Sequence, residues 1–404
     1  MALGAVGFRE VAVKRRHARV DRHGPADQLN RFAQVALLQG DDAQEVQRIG
    51  LFGFPQTGKS ELFRLLTGAQ AGTPAARDAV QIGIAKVPDP RLDRLSEMHK
   101  PKKTTPATVE YMDLAGVGKG EAADALPLEQ LRTVDALAHV VRAFRDEAVP
   151  RSLGAIDAAS DAATMEMELI LADHTIAERR LEKLELAVKK ANREEDRKDL
   201  ETLRRCLGAL EKETPLRNLE FSEEELRRLR GFTFLSLKPL LVVVNADEAD
   251  ASRLDAGASA FGLEAFPSHP NTGVVALSAK IEAEIAQLAP ADAAAFRAEI
   301  GIASPALDRM IRASYHLLGR ISFFTAGEDE CRAWTIRRGT RARAAAGAIH
   351  SDIEKGFIRA ELCAYDDLIA AGSWAHCRDK GTLRLEGKDY VMQDGDVVNF
   401  RFNV

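Results

Sequence analysis

The sequence predicts an α/β protein with a doubly wound sheet, and three observations carry this prediction. An apolar run ends in a glycine-rich loop that leads into a helical pattern, which is the order of elements in a phosphate-binding site. Short β-branched runs alternate with helical patterns, as in a sheet covered by helices. A long stretch rich in Glu, Lys, Arg and Leu interrupts that alternation. We therefore expect one nucleotide-binding domain with a helical insertion, followed by a small α+β module.

The glycine-rich loop is the stretch Gly53-Phe54-Pro55-Gln56-Thr57-Gly58-Lys59-Ser60. Glycines at its first and sixth positions allow the backbone N–H groups to turn inward around a polyphosphate. The lysine can then reach the β- and γ-phosphates, and the serine hydroxyl can bind Mg²⁺. The following helix presents its positive end to the same anion. The loop predicts binding of a nucleoside polyphosphate, with Ser60 also contacting the metal.

A second phosphate-side element is Asp113-Leu114-Ala115-Gly116, which follows a strand pattern over residues 108–112. An aspartate at the carboxyl end of a strand can hold Mg²⁺, usually through water, and a glycine lets a backbone N–H approach the γ-phosphate. We predict Asp113 as the second magnesium residue and Gly116 as phosphate-binding. The sequence assigns no catalytic side chain.

Two later strand patterns end in polar residues that predict base recognition. One runs from Leu240 into Asn245-Ala246-Asp247-Glu248, and the other ends in Ser278-Ala279-Lys280. In a doubly wound sheet the carboxyl ends of the strands form the ligand crevice. An asparagine and a Ser-Ala-Lys turn can recognise a base there, with the lysine stem packed on it. The predicted base-binding residues are Asn245, Glu248, Ser278, Ala279 and Lys280.

The helical insertion has two apolar series on either side of the polar stretch 192–198. The first recurs at Ala177, Leu181, Leu184, Val188 and Ala191, and the second at Leu200, Leu203, Leu207 and Leu210. Two such seams separated by a polar turn predict an antiparallel coiled-coil hairpin. Its many charges fit either a solvated surface or a partner-binding arm.

The C-terminal segment carries an arginine cluster formed by Arg337, Arg338, Arg341 and Arg343. Such a cluster fits contact with a phosphate backbone, and it equally fits plain solvated surface. The net charge of −5 gives no global nucleic-acid signature, so any RNA contact has to come from a local patch.

The domain organisation follows from these shifts in pattern. We expect an N-terminal extension over 1–47, a nucleotide-binding domain in two parts over 48–155 and 216–318, the insertion over 156–215, and the final module over 319–404. The extension fits a poorly ordered segment or a mis-assigned start site, with a small docking arm as the alternative.

The four cysteines show no metal spacing, and no apolar run approaches the ~20 residues that cross a bilayer. We expect a soluble, cytoplasmic, monomeric protein.

From Arg48 to Val404 the sequence resembles the YchF family of Obg-like P-loop ATPases/GTPases, as a divergent member. Besides the phosphate loop, the matching segments are 87–92 (VPDPRL), 113–116 (DLAG), 350–361 (HSDIEKGFIRAE) and 395–400 (GDVVNF). The resemblance implies that the C-terminal module is a TGS domain with a ubiquitin-like β-grasp fold. It also implies association with the ribosome or ribosomal RNA, and weak nucleotide hydrolysis.

Base choice can be argued from the residues at the end of the first base-side strand. GTPases usually carry Asn-Lys-x-Asp there, and the aspartate accepts two hydrogen bonds from guanine. Here the lysine is missing and the longer Glu248 stands at the aspartate position. Selectivity built on buried hydrogen bonds is lost when they are not made. We therefore expect ATP, which YchF members with Asn-x-x-Glu favour or accept. The alternative is that Asp247 shifts register and guanine recognition is kept.

Three positions in the switch regions argue against vigorous catalysis. Arg77 stands where the family motif has a threonine, and Arg151 lies near a position that is histidine in many members. Val117 stands where many GTPases have a water-orienting glutamine, although the family itself also has an apolar residue there. Two functions remain open from the sequence. One is a slow Mg²⁺-dependent ATPase switch that associates with the ribosome or RNA. The other is a nucleotide-binding interaction protein without hydrolysis.

Overall fold

The structure is a computed structural model that describes residues 47–68, 80–114, 127–147, 155–191 and 193–403. Within these residues the strands are β1 (Arg48–Phe52), β2 (Gln81–Lys86), β3 (Lys103–Thr105), β4 (Thr108–Asp113), β5 (Ala136–Ala143), β6 (Leu240–Ala246), β7 (Thr272–Leu277), β8 (Arg320–Ala326), β9 (Glu330–Arg337), β10 (Phe357–Ala364), β11 (Arg384–Glu386) and β12 (Asp396–Phe402). The expectations for residues 1–46 lie outside this description.

The α-helices of the described residues are α1 (Lys59–Thr67), α2 (Pro90–His99), α3 (Leu128–Thr133), α4 (Ala158–Ala191), α5 (Glu194–Leu210), α6 (Glu223–Leu229), α7 (Ala279–Ile285), α8 (Pro290–Glu299), α9 (Ala306–Leu317), α10 (Ala342–Ile349), α11 (Ser351–Lys355), α12 (Tyr365–Ala371) and α13 (Trp374–Asp379). Their ends carry the expected signals. Helix α2, for example, has Asp89 as N-cap and proline at its first position. Proline is favoured there because it lacks the backbone N–H that would have no hydrogen-bond partner at a helix start.

The first sheet has the strand order β2-β4-β1-β5-β6-β7. Its strands are parallel except β2, which runs antiparallel to β4 at the edge. The inner strand β6 is buried along its whole length, as its run of leucine and valine requires. Helices α1 and α9 cover one face and α3 and α4 cover the other. The predicted doubly wound α/β sheet is confirmed.

The second sheet has the order β11-β10-β12-β8-β9-β3. Strand β3 lies in the chain between β2 and β4 of the first sheet, yet it pairs in parallel with β9. Helix α10 covers one face of this sheet. The other face joins the hydrophobic core of the first sheet, because one buried cluster contains Ile49 and Tyr111 together with Phe324 and Val397. The two sheets are therefore built on a shared core.

The segment predicted as an insertion consists mainly of α4 and α5, two helices that contact each other. Helix α5 already begins at Glu194, so the polar turn predicted over 192–198 is too long. Glu194, Glu195 and Asp196 form the first turn of α5, where acidic side chains favour the positive helix end. At the base of the hairpin Leu203 is fully buried, whereas Ala191 near the tip is exposed.

Among the helices in the described part of the chain, none combines the length and apolarity needed to span a membrane. The four cysteines are Cys206, Cys331, Cys363 and Cys377. All four are buried and carry free thiols.

Candidate nucleotide-binding site

The glycine-rich loop connects β1 to α1 and needs glycine at both predicted positions. Gly53 has a φ of 148° and Gly58 a φ of 92°. A Cβ at Gly53 would lie 2.4 Å from the carbonyl oxygen of Val140, and one at Gly58 would lie 2.4 Å from Nδ2 of Asn245. Only glycine fits this backbone where the loop touches β5 and β6.

Lys59 folds back over the loop that precedes it. Its Nζ donates to the carbonyl oxygens of Gly53 at 3.1 Å and Phe54 at 2.6 Å. Burial lowers the pKa of Lys59 to about 8, and the nearby carboxylate of Asp113 opposes this shift. Asp113 ends β4 and is 4% exposed. The fold therefore brings the predicted phosphate lysine and the predicted metal aspartate together.

The residues on this side fit a magnesium ion. Ser60 lies half-buried in the first turn of α1, after Lys59, and Asp113 supplies a carboxylate. Magnesium prefers oxygen ligands and usually keeps several waters, binding through one or two protein groups together with phosphate oxygens. The described residues contain no group of three or more His, Cys, Asp or Glu side chains that could hold a metal by themselves. The donor set thus suits a metal that arrives with a phosphate ligand.

Asn245 joins the phosphate loop to the loop after β7. Its Nδ2 donates to the carbonyl oxygen of Thr57 at 3.0 Å, and its Oδ1 accepts from the backbone N–H of Ala279 at 2.9 Å. The side chain is buried, with 5% of the residue exposed. Asn245 therefore braces the loop directly, and a base contact can use only its remaining hydrogen-bonding capacity.

The other predicted base-side residues form a more open group. Glu248 and Lys280 pair with each other, and 39% and 69% of their side chains are exposed. Ser278 is buried and caps α7 by accepting from the N–H of Ile281. Asp247 accepts from the N–H groups of Arg145 and Ala249, at 3.1 and 3.2 Å, and these contacts lower its pKa. The carboxylate of Asp247 is thus occupied by hydrogen bonds from the backbone.

His139 of β5 was not singled out from the sequence. It is 1% exposed and lies behind the loop, with its ring centroid 5.1 Å from that of Phe52 and 6.5 Å from that of Phe54. Its Nε2 has no hydrogen-bond partner among the described residues. Burial, helped by the charge of Lys59, lowers its pKa to about 3, so the ring is neutral. A histidine in the middle of the apolar run 136–141 was the available signal.

Four predicted positions lie outside the described residues. They are Gly116, Arg77, Val117 and Arg151.

The arginine cluster of the C-terminal segment divides into two pairs. Arg337 and Arg338 are half-buried at the end of β9, whereas Arg341 and Arg343 are exposed. Arg341 pairs with Asp389 at 2.8 Å, and Arg343 donates to the carbonyl oxygen of Glu354 at 3.3 Å. The four side chains therefore do not form one exposed basic patch.

Together, the parallel sheet, the glycine loop after β1 and the aspartate at the end of β4 define a P-loop nucleotide-binding fold. Comparison with known proteins agrees. The family model YchF-GTPase_C, described as a protein of unknown function (DUF933), matches residues 320–403. "Ribosome-binding ATPase YchF" of Bacillus subtilis (strain 168) is 41% identical over 362 residues, which cover 88% of this chain and 99% of that protein.

The protein of the same name from Escherichia coli O157:H7 is 38% identical, again over 88% of this chain and 99% of the relative. The solved structure of the Schizosaccharomyces pombe YchF GTPase superposes with a TM-score of 0.77 and 30% identity, covering 90% of this chain and all of the other. The chain belongs to the YchF family.

Proposed function

We propose that this protein binds ATP and hydrolyses it slowly with Mg²⁺, and that it acts as a switch associated with the ribosome. The single observation that carries the proposal is the braced phosphate loop, in which Lys59 lies beside Asp113 and Asn245 fixes Thr57 from behind. The relatives from B. subtilis and E. coli are named ribosome-binding ATPases, which supports both halves of the proposal. A ribosome-associated protein of this kind would act in the cytoplasm, and we propose that it is a monomer.

Ser60 and Asp113 are the residues proposed to hold magnesium. When bound, the ion would supply positive charge that stabilises the negative charge developing on the phosphates during transfer. Lys59 would contribute a charge-assisted hydrogen bond to the same phosphates, and the N-terminal end of α1 would stabilise them further.

The preference for ATP is supported by what the base-side residues already do. Asp247, the shorter acid, is held by backbone N–H groups of Arg145 and Ala249. Glu248 is left as the acid nearest the base, and it pairs with Lys280. A guanine-reading carboxylate has to accept two hydrogen bonds in a fixed geometry, and a long, exposed, ion-paired glutamate is poorly suited to this.

We also propose the domain division predicted from the sequence. The hairpin of α4 and α5 supports an insertion within the first sheet's domain, and the second sheet supports a separate C-terminal module of the TGS type. Strand β3 is the exception, since residues 103–105 pair with the second sheet.

Titration with ATP and GTP, with and without Mg²⁺, tests the proposal. We expect Mg²⁺-dependent binding with ATP at least as tight as GTP. Single-turnover hydrolysis and cosedimentation with ribosomes then test the other two parts. Absence of binding to either nucleotide would refute the proposal, whereas binding without any hydrolysis would assign the protein to the non-hydrolysing alternative.

A further inference from the structure

The segment between β2 and β4 is shared by the two sheets. In the chain it connects two neighbouring strands of the first sheet, and β4 ends in Asp113. In space its strand β3 extends the second sheet, with Lys103 opposite Glu330 and Thr105 opposite Arg332. Strand β4, which carries the proposed metal residue, thus follows in the chain directly after β3, which belongs to the sheet of the C-terminal module.

A buried polar network follows the same route, starting at Tyr111 of β4. Tyr111 is fully buried and precedes Asp113 by two residues, so the two side chains leave the strand on one face. Its hydroxyl donates to Oγ of Ser314 in α9 at 2.9 Å. The next residue of α9, Tyr315, has its hydroxyl 2.9 Å from Oγ of Ser322 in β8. The two contacts are joined through the backbone of α9, because Ser314 and Tyr315 are consecutive residues, and together they connect the first sheet to the second.

From Ser322 the network continues to the start of α2. The Ser322 N–H donates to Asp394 at 2.9 Å, and the other carboxylate oxygen of Asp394 accepts from Nη1 of Arg91 at 2.9 Å. Nε of Arg91 donates to Asp89 at 2.9 Å, and Asp89 is the N-cap of α2, shortly after β2. Burial works against the charge of Arg91, but the hydrogen bonds to Asp89 and Asp394 outweigh it and raise the pKa of Arg91. The guanidinium also lies over the ring of Phe324, 5.2 Å from its centroid.

The network has its two ends on β4 and next to β2, and its middle in the C-terminal module. Ser314 and Tyr315 are joined through the helix, and the other members are joined by hydrogen bonds. Removing one hydrogen-bonding group leaves a buried or half-buried partner unpaired, which costs more than the bond itself contributes. A shift of β4 that keeps the Tyr111–Ser314 hydrogen bond therefore moves α9, and with it the contact of Tyr315 with Ser322.

We propose that this network, from Tyr111 through Ser314, Tyr315, Ser322 and Asp394 to Arg91, couples the nucleotide site to the C-terminal module. Nucleotide binding then changes the affinity of the module for its ribosomal partner, and the partner changes nucleotide affinity by the same factor, as linkage requires. This inference rests on the proposed function, because it concerns the regulation of the same site.

A double-mutant cycle with Tyr111→Phe and Asp394→Asn tests the coupling. Ribosome affinity is measured for each protein with ADP and with a non-hydrolysable ATP analogue, both with Mg²⁺. We expect the wild-type affinities to differ about five-fold or more between nucleotides, in the usual range of coupling between sites. In each single variant the difference should fall below about two-fold, and the double variant should lose no more than the singles, because both residues belong to one network.

Two matched controls lie in the same module but outside the network. Tyr390→Phe removes a hydroxyl that donates to Asp396 at 3.0 Å, and Asp389→Asn removes the exposed partner of Arg341. Both should keep the wild-type nucleotide dependence. If Tyr111→Phe fails to fold, judged by circular dichroism, Ser314→Ala is used in its place, because it removes the other hydroxyl of the same hydrogen bond.

The outcomes separate the inference from the proposed function. Wild-type protein that binds nucleotide and ribosome, but with no effect of one on the other, would overturn the coupling and leave the function standing. Equal loss of nucleotide dependence in the control variants would also overturn it. Wild-type protein that binds no nucleotide would refute the proposed function itself.

Discussion

The phosphate side and the base side of the site are built in different ways. On the phosphate side Asn245 and Asp113 are buried, and the lysine is held by two loop carbonyls. On the base side Glu248 and Lys280 form an exposed ion pair. Removing one member of a buried, hydrogen-bonded set costs much free energy, because it leaves a buried partner unpaired. An exposed ion pair contributes only ~0–1 kcal/mol. From this comparison we expect the phosphate side to determine affinity and the base side only to modulate which base is accepted.

The largest expected effect is that of Lys59→Ala. A charge-assisted hydrogen bond to phosphate is typically worth ~1.5–3 kcal/mol, so triphosphate affinity should fall roughly 10- to 150-fold, measured by calorimetry. Arg64→Ala is the control, because Arg64 lies on the same helix but forms only an exposed pair with Glu61. Unchanged affinity of the Lys59 variant would mean that the loop does not hold the phosphates.

Asn245→Ala should weaken ATP and GTP by a similar factor. It leaves the carbonyl of Thr57 and the N–H of Ala279 without their partner, which costs ~1–3 kcal/mol and loosens the loop for both nucleotides. Asn218→Ala, which removes an amide that contacts His269 outside the site, should leave both affinities as they are. A selective loss of one nucleotide would instead give Asn245 a role in base choice.

Nucleotide affinity should decrease above pH 8. In the free protein the pKa of Lys59 is about 8, and a bound polyphosphate raises it, so at higher pH binding has to take up a proton. Affinity should fall by up to about ten-fold per pH unit between roughly pH 8 and the pKa of the complex. Lys59→Arg keeps a permanent charge and should abolish the proton uptake. Calorimetry in two buffers of different ionisation enthalpy measures that uptake, and an equal uptake in the arginine variant would remove Lys59 from the explanation.

The smallest expected effect is that of Glu248→Asp. Shortening the side chain moves the carboxylate back by one methylene and should favour GTP relative to ATP by ~1 kcal/mol, or roughly five-fold. The change is modest because Ala246 still stands where GTPases carry a lysine. Glu284→Asp, in an exposed carboxylate that also interacts with Lys280, is the control. An unaltered ATP/GTP ratio would place base choice elsewhere.

The sequence was informative where a local pattern determines the structure. The glycines of the loop and Asp113 at a strand end follow from short motifs whose flanking elements are visible in the same stretch. Strand β3 could not be predicted, because its three residues pair with β9 more than 220 positions later in the chain. The early start of α5 was missed for a different reason. Its polar first turn resembles a loop, although acidic residues are favourable at that end of a helix.

Buried polar groups were also hard to predict. Tyr111 and His139 lie among buried strand residues, and only their neighbours in space distinguish them from the rest of the core. Tyr111 is hydrogen-bonded to Ser314, and Arg91 to Asp394; both partners belong to elements that are distant in the chain. No periodicity within the sequence indicates such contacts.

The most direct test of the account is the affinity for Mg²⁺-tripolyphosphate, which has the phosphates of ATP but no base. If the phosphate side determines affinity, tripolyphosphate should displace ATP from the wild-type protein. Glu248→Asp should then leave tripolyphosphate affinity within about five-fold of wild type, since an exposed pair contributes at most ~1 kcal/mol. Tight ATP binding without measurable tripolyphosphate binding, or a large loss in the Glu248 variant, would contradict the account.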